Sequence, residues 1–377
     1  MKKTKILIIT VLLLVISFVY CQCPKKLAFA ETGTTAKAMS LIDSTSGRQL
    51  YGKNESIRLP MASTTKIVTA LTVLVNCDNI EKEIQVDDRA VGILGTSIYL
   101  KKGEKMTIKE LLYGMMLPSG NDAATALAYS IGGSMENFCN MMNKTAQSVG
   151  AFNSNFKNPH GLDEDGHYTT ALDLAKITAS ALKNDIFKEI VTTKNYRIRG
   201  SSEGTYRYLK NKNRLLSTLD GCIGVKTGYT GKAGRCLVSA TSRDDFCLVC
   251  VVLNCGPMFE ESEGLLNLAY KEYSLQSVIE PYSVIREIQV EDGRDATINV
   301  YNKRGFKYPL KKDEDDKIYI EYLLPNSIKA PINKDESVGT INIYLDNCLL
   351  FCEKIYTISS VKKVGVWGNI KDIASGW

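Results

Sequence analysis

Apolar and polar positions divide this chain into three regions of different rhythm. The first runs from basic Met1–Lys5 through an almost unbroken apolar stretch, Ile6 to Tyr20, to Ala28-Phe29-Ala30, the small-residue pattern of a cleavage site. This predicts a signal peptide over residues 1–30 and a mature chain that starts near Glu31, outside the cytoplasmic membrane. An uncleaved anchor fits less well, because the apolar run is shorter than the ~20 residues a span requires.

From about residue 34 to 277, helical and strand periods mix. Ile67, Val68, Ala70, Leu71, Val73, Leu74 and Val75 leave no polar stripe, so the pattern predicts a buried helix. Leu111 to Leu117 and Ala123 to Ile131 read as two more helices joined through Pro118-Ser119-Gly120. Ile223 to Tyr229, Cys236 to Thr241 and Phe246 to Leu253 read as strands of an antiparallel meander, with a turn at Thr230 to Lys232. Beyond 277 the chain becomes short β-branched runs between Gly, Asp, Asn and Lys turns: Ile285 to Val290, Ala296 to Val300, Ile318 to Tyr322, Ile341 to Leu345 and Lys354 to Ile358. These predict a small all-β domain over 278–360. The tail, 361–377, sets Trp367, Ile370, Ile373, Ala374 and Trp377 at helical spacing near Lys362, Lys363 and Lys371. Such a helix suits a membrane surface, and it equally suits packing on its own domain.

Composition narrows the chemistry. The 377 residues are 44% hydrophobic and 23% charged, which is a globular composition with enough apolar residues for a core. The formal charge of +6 comes mostly from five lysines before residue 31, leaving 42 basic against 41 acidic residues. That near-balance argues against nucleic acid as a partner. Two histidines, His160 and His167, cannot make a His-rich zinc site. Nine of eleven cysteines follow residue 30, an odd number. At least one thiol is therefore unpaired within the monomer. Cys247 and Cys250 match C-x-x-C, but on a strand they point to opposite faces and read as small hydrophobes.

Three segments carry chemistry. In Pro60-Met-Ala-Ser-Thr-Thr-Lys66 the i, i+3 spacing sets Ser63 and Lys66 on one helix face, so an amine can take the serine proton. S-x-x-K occurs five times in the chain, and only Ser63 opens a long buried helix, where burial depresses a lysine pKa toward the neutral base. Ser119-Gly-Asn121 lies on the turn between two helices, which can project both side chains into a cleft. As helix N-caps, Ser119 or Asp122 would have a plainer role. Lys226-Thr227-Gly228 sits on a strand: Lys226 offers a fixed positive charge and Thr227 a hydroxyl, a pair suited to a carboxylate. A strand glycine such as Gly228 marks a bulge or a close backbone neighbour, which here is expected to be a substrate peptide on the sheet edge.

With these motifs in this order, the chain resembles the penicillin-recognising serine acyltransferases, and within them the low-molecular-mass D-alanyl-D-alanine carboxypeptidases. The resemblance extends to Asn158-Pro-His-Gly-Leu162, Asn211-Lys-Asn-Arg-Leu-Leu216 and Ala233-Gly-Arg-Cys-Leu237. It implies an α/β (α+β) fold, an antiparallel sheet flanked by helices over residues 31–277, with the β-rich domain appended. It implies that Ser63 attacks the carbonyl between two D-alanines of a peptidoglycan stem pentapeptide, with Lys66 as base and Ser119 as proton relay. By the same resemblance Asn121 holds the substrate amide, Lys226 and Thr227 bind the terminal carboxylate, and the N–H groups of Ser63 and Tyr229 form the oxyanion hole. β-Lactams would acylate the same serine. The chain departs from the family where many relatives carry an arginine before the last helix of the domain; Met258 stands there.

Alternatives are weaker on residues. A class A-like β-lactamase would carry Ser-Asp-Asn and E-x-x-L-N; the chain has Ser-Gly-Asn, and Glu164 lacks matching neighbours. Gly200-Ser-Ser-Glu-Gly204 fits G-x-S-x-G, but its flanks read as a polar hairpin. A non-catalytic wall-binding module would have no need of the complete set of reactive side chains. His160 and His167 are expected to order a loop beside the cleft.

Overall fold

A computed structural model describes residues 33–364. The expected signal peptide and most of the expected tail lie outside the described residues. The chain divides into two compact units at Lys271/Glu272.

The first unit is built on a five-stranded antiparallel sheet of order β2-β1-β9-β8-β7. β1 (Ala38–Asp43) and β2 (Gln49–Lys53) form a hairpin. Two small antiparallel pairs stand apart from the sheet, β3 (Glu83–Gln85) with β4 (Lys105–Thr107) and β5 (Asn195–Arg199) with β6 (Tyr206–Lys210). The second of these encloses Gly200–Gly204, so that segment is a polar hairpin tip. The meander follows as β7 (Cys222–Thr230), β8 (Gly234–Arg243) and β9 (Phe246–Leu253). β1 pairs with β9, which closes the N-terminal hairpin onto the meander and leaves β7 as a free edge.

A 3-10 turn, Ala62–Thr65, leads into helix Lys66–Val75, which is buried from Lys66 to Val73. Apolar residues on every side of the helix force that result, because each face needs a partner, and Lys66, Thr69 and Thr72 are buried with them. The partners are helices Asn121–Gly132, Met135–Ser148 and Ala171–Ala181, the last of which also packs on β1 and β9. Helix Ile108–Met116 starts with a reciprocal capping box between Thr107 and Glu110. Helix Met258–Glu272 is tied to the sheet through Tyr270, whose hydroxyl lies 3.0 Å from Thr241 Oγ1 and 2.9 Å from the Phe246 carbonyl. Cys250 is buried and Cys247 half-buried, and both are free thiols.

The second unit is all-β. Its six-stranded sheet has the order β14-β16-β17-β12-β11-β15, and β10 (Tyr273–Ile279) pairs separately with β13 (Phe306–Lys311). The five expected runs fall in β11 (Val284–Glu291), β12 (Thr297–Asn302), β14 (Ile318–Leu323), β16 (Ser337–Leu345) and β17 (Cys348–Thr357). Three strands were not expected: β10, β13 and β15 (Ser327–Lys329). Ile288, Val300, Ile341, Ile343 and Ile355 form its core. The expected tail begins inside this unit, since Val361 exchanges 2.9 Å backbone hydrogen bonds with Ile332, and Val364 N–H donates to the Asp292 carbonyl at 2.8 Å.

Candidate active site

Ser63 lies in the 3-10 turn that opens the buried helix, so Lys66 projects from the next turn on the same face. Lys66 is fully buried, with its Nζ 3.0 Å from Ser63 Oγ, 2.7 Å from Asn121 Oδ1 and 2.7 Å from the His160 carbonyl. Burial holds the Lys66 pKa well below the ordinary lysine value, with Lys226 and then Lys212 adding to the effect and Asp122 opposing it. The amine is thereby held in three contacts and biased toward its neutral, basic form.

Ser119 and Asn121 come from the turn expected to present them. Ser119 has φ 76°, a left-handed conformation costly for a residue with a Cβ. Its Oγ is buried without a hydrogen-bond partner among the described residues. Asn121 is fixed at its other end, since its Nδ2 donates to the Leu94 carbonyl at 2.6 Å. Asp122 is an acceptor for a neighbouring segment and no mere cap: Ser97 Oγ donates to it at 2.6 Å, and the N–H groups of Ile98 and Leu100 at 3.0 Å. The segment carrying Leu94 and Thr96 is thus pinned against the Ser119 turn.

The third motif lies on the free edge β7. Gly228 is required by a close approach: a Cβ there would stand 2.9 Å from Ser63 N, 3.1 Å from Ala62 Cβ and 3.1 Å from Met61 O. The close neighbour is therefore the turn bearing Ser63, which corrects the expectation that this glycine makes room for a substrate peptide. Gly161 serves the other side of the same turn, where a Cβ would collide with the Ala62 carbonyl. Lys226 is buried, and its Nζ donates to the Thr227 carbonyl at 3.0 Å. Burial, and then Lys212, lower its pKa to about 7. Its position is fixed as expected, but its charge is only partial at neutral pH.

Ser63, Ser119, Thr227, Gly228 and Tyr229 line one cleft of about 470 Å³, together with Thr96, Lys212, Arg235, Met258 and Phe259. Lys66, Asn121 and Lys226 are buried beside it. Sequence reasoning did not single out Lys212 or Arg235, nor the carbonyl of His160. The sole signal was that Lys212 and Arg235 fall within stretches similar to the family. The histidine rings are loop-builders: His167 Nε2 lies 3.0 Å from Thr65 Oγ1 and its Nδ1 accepts from Lys157 N at 2.9 Å, while His160 Nδ1 accepts from Leu162 N at 3.2 Å. Burial lowers their pKa values to about 4 and about 3, so both rings are neutral. Glu164 accepts from Asn158 Nδ2 at 2.9 Å. Among the described residues, no group of three or more His, Cys, Asp or Glu is placed to hold a metal.

Comparison with known proteins agrees with this geometry. Residues 25–256 match the D-alanyl-D-alanine carboxypeptidase family (peptidase S11), and residues 273–363 match the C-terminal domain of penicillin-binding protein 5. The chain is 32% identical to D-alanyl-D-alanine carboxypeptidase DacF of Bacillus subtilis, over 92% of this chain and 91% of that one. It is 30% identical to DacC of Escherichia coli, over 94% and 92%. Among solved structures, penicillin-binding protein 5 of Haemophilus influenzae superposes with a TM-score of 0.73 at 26% identity, covering 88% of this chain and 98% of that one. The DD-transpeptidase of Streptomyces K15 superposes with a TM-score of 0.60 at 33% identity, covering 63% and 98%. With a buried serine–lysine pair on the shared fold and relatives matched over nearly their full length, the chain belongs to the serine-type D-alanyl-D-alanine carboxypeptidase family of penicillin-binding proteins.

Proposed function

We propose that Ser63 is the nucleophile that releases the terminal D-alanine of peptidoglycan stem pentapeptides. Neutral Lys66 takes the proton of Ser63 Oγ as that oxygen attacks the carbonyl between the two D-alanines. The tetrahedral oxyanion is held by the N–H groups of Ser63 and Tyr229, and losing one such donor typically costs about 3 to 4 kcal/mol of transition-state stabilisation. Ser119 Oγ relays a proton to the leaving amine, Asn121 holds the substrate amide, and Thr227 with Lys226 meets the terminal carboxylate. D-Alanine then departs, and water cleaves the Ser63 ester. A β-lactam forms the same ester without a departing amine, so the acyl group stays in the cleft.

The single observation that carries this reading is the 3.0 Å approach of a fully buried lysine amine to Ser63 Oγ. The basic, apolar and A-x-A segments of residues 1–30 support export, and the D-alanyl-D-alanine carboxypeptidase family supports work outside the cytoplasmic membrane. The spacing of Trp367, Ile370, Ile373 and Trp377 supports a tail that rests on the membrane surface. Wild type and Ser63→Ala are to be compared for D-alanine release from a stem pentapeptide and for labelling by a fluorescent penicillin. Both signals vanish in the variant; their persistence rejects Ser63 as the nucleophile.

A further inference from the structure

The peptide that joins Ala62 to Ser63 is one rigid plane, with the Ala62 carbonyl on one edge and the Ser63 N–H on the other. Whatever fixes that carbonyl therefore aims the N–H. Ala62 needs such fixing, because its φ of 50° is a left-handed conformation, costly for a residue with a Cβ and kept only where the surroundings enforce it.

The Ala62 carbonyl accepts from Thr65 Oγ1 at 2.8 Å. Thr65 is fully buried, and its Oγ1 lies 3.0 Å from His167 Nε2. His167 Nδ1 accepts from the Lys157 N–H at 2.9 Å, which assigns the proton of the neutral ring to Nε2. The direction of the whole chain follows: Lys157 N–H donates to the ring, the ring to Thr65, and Thr65 to the Ala62 carbonyl. The ring is itself held, with Phe156 edge-on at 6.0 Å. Its segment runs between two fixed neighbours, since Tyr168 exchanges backbone hydrogen bonds with Asn155 at 2.9 and 3.0 Å, and Thr169 with Leu59 at 2.8 and 3.0 Å. Gly161 closes over the Thr65 contact, as a Cβ there would stand 2.8 Å from Thr65 Oγ1. Neither Thr65 nor His167 lines the cleft.

We infer that His167 and Thr65 form a one-way hydrogen-bond relay to the Ala62 carbonyl that orients and polarises the Ser63 N–H, making both of them positioning residues for acylation. This rests on the reading of the Ser63 N–H as an oxyanion donor. Hydrogen bonds in series strengthen one another, so a donor drawing on the carbonyl makes the N–H of the same peptide the better donor. The left-handed Ala62 turns that N–H toward the oxyanion, and the relay keeps it there.

The test compares acylation by a depsipeptide, which has an ester at the scissile position, with acylation by its thionoester, in which sulfur replaces the carbonyl oxygen. Sulfur is the poorer acceptor and draws less on the two N–H groups, so wild type favours the oxygen ester. Thr65→Val lowers the single-turnover acylation rate of the oxygen ester by roughly 10- to 100-fold, leaves substrate affinity within about threefold, and narrows the oxygen-to-sulfur rate ratio. Thr65→Ser keeps the hydroxyl and restores rate and ratio. His167→Phe shows a loss of the same kind, and His167→Gln, whose amide can donate to Thr65, recovers part of it. A wild-type rate in Thr65→Val overturns the inference, as does an equal fall for both esters, which marks a packing defect rather than a lost oxyanion contact. Should the valine variant not fold, His167→Phe reads the relay from its far end, and the same two outcomes overturn it there. An oxygen-to-sulfur ratio near one in wild type removes the Ser63 N–H as a donor and the relay with it. Failure of the nucleophile reading is separate, since it shows as turnover that survives Ser63→Ala.

Discussion

Replacing Gly228 with alanine tests how closely the sheet edge and the nucleophile turn are coupled. The new Cβ would stand 2.9 Å from Ser63 N and 3.1 Å from Met61 O, both backbone atoms, and 3.1 Å from Ala62 Cβ, where ordinary contact begins at 3.4 Å. Neither side can yield by rotating a flexible side chain, so β7 and the turn must separate by roughly 0.5 Å. Oxyanion donors act over about 2.7–3.1 Å, so that separation withdraws one of the two N–H groups from range. The expected loss is about 100- to 1,000-fold in the rate of acylation, with overpacking adding roughly 1–3 kcal/mol of destabilisation. Acylation is followed by stopped labelling with a fluorescent penicillin, and stability by urea unfolding of the same preparations. Gly231→Ala is the matched control, because its Cβ meets nothing within 4 Å. If Gly228→Ala labels within threefold of wild type, the N–H groups of the turn and of β7 do not act together on the oxyanion.

Three further predictions follow from the electrostatics of the site. Lys212 depresses the pKa values of both Lys66 and Lys226, so Lys212→Gln moves the acid limb of penicillin acylation to higher pH by about 1 unit, and Lys212→Arg restores it; an unmoved limb in the Gln variant removes Lys212 from the tuning of the base. Lys226 has a folded pKa lowered from 10.5 to about 7, so the unfolded chain binds more protons between those values and stability rises with pH across that window. Urea unfolding at pH 7 and pH 9 is expected to show that rise in wild type and a smaller one in Lys226→Met; equal slopes would mean the buried amine is charged in the native state. Asp122→Ala strips the acceptor from Ser97 and from the N–H groups of Ile98 and Leu100, and is expected to cost roughly 2–5 kcal/mol by chemical denaturation, with Asp122→Asn recovering part of it. A loss below about 1 kcal/mol in the Ala variant would show that the segment is held by other contacts.

Much of this molecule is written in short-range spacing, and those parts were readable. The buried helix, the turn bearing Ser119, the meander of β7 to β9 and five strands of the second unit each follow from a local period or a local breaker. β13 hid its identity because Pro309 interrupts the run, and its partner β10 is contiguous with the preceding helix, so neither shows a bounded alternating pattern. At the site, Ser63 and Lys66 were legible because their relation is one helical turn. The protonation of Lys226 was not legible for the opposite reason: it depends on burial and on Lys212, which lies 14 positions earlier in the chain. Asp122 looked like a cap until Ser97, Ile98 and Leu100 were seen to converge on it, and Gly228 looked like room for a ligand until the Ser63 turn was seen to fill that room. The division has a physical basis. Which atoms react is set by neighbours one turn or one pleat away, whereas their protonation and the width of the gap they react across are set by groups that only folding brings near. A serine–lysine spacing therefore identifies a nucleophile, but only the buried surroundings make the lysine a base at neutral pH.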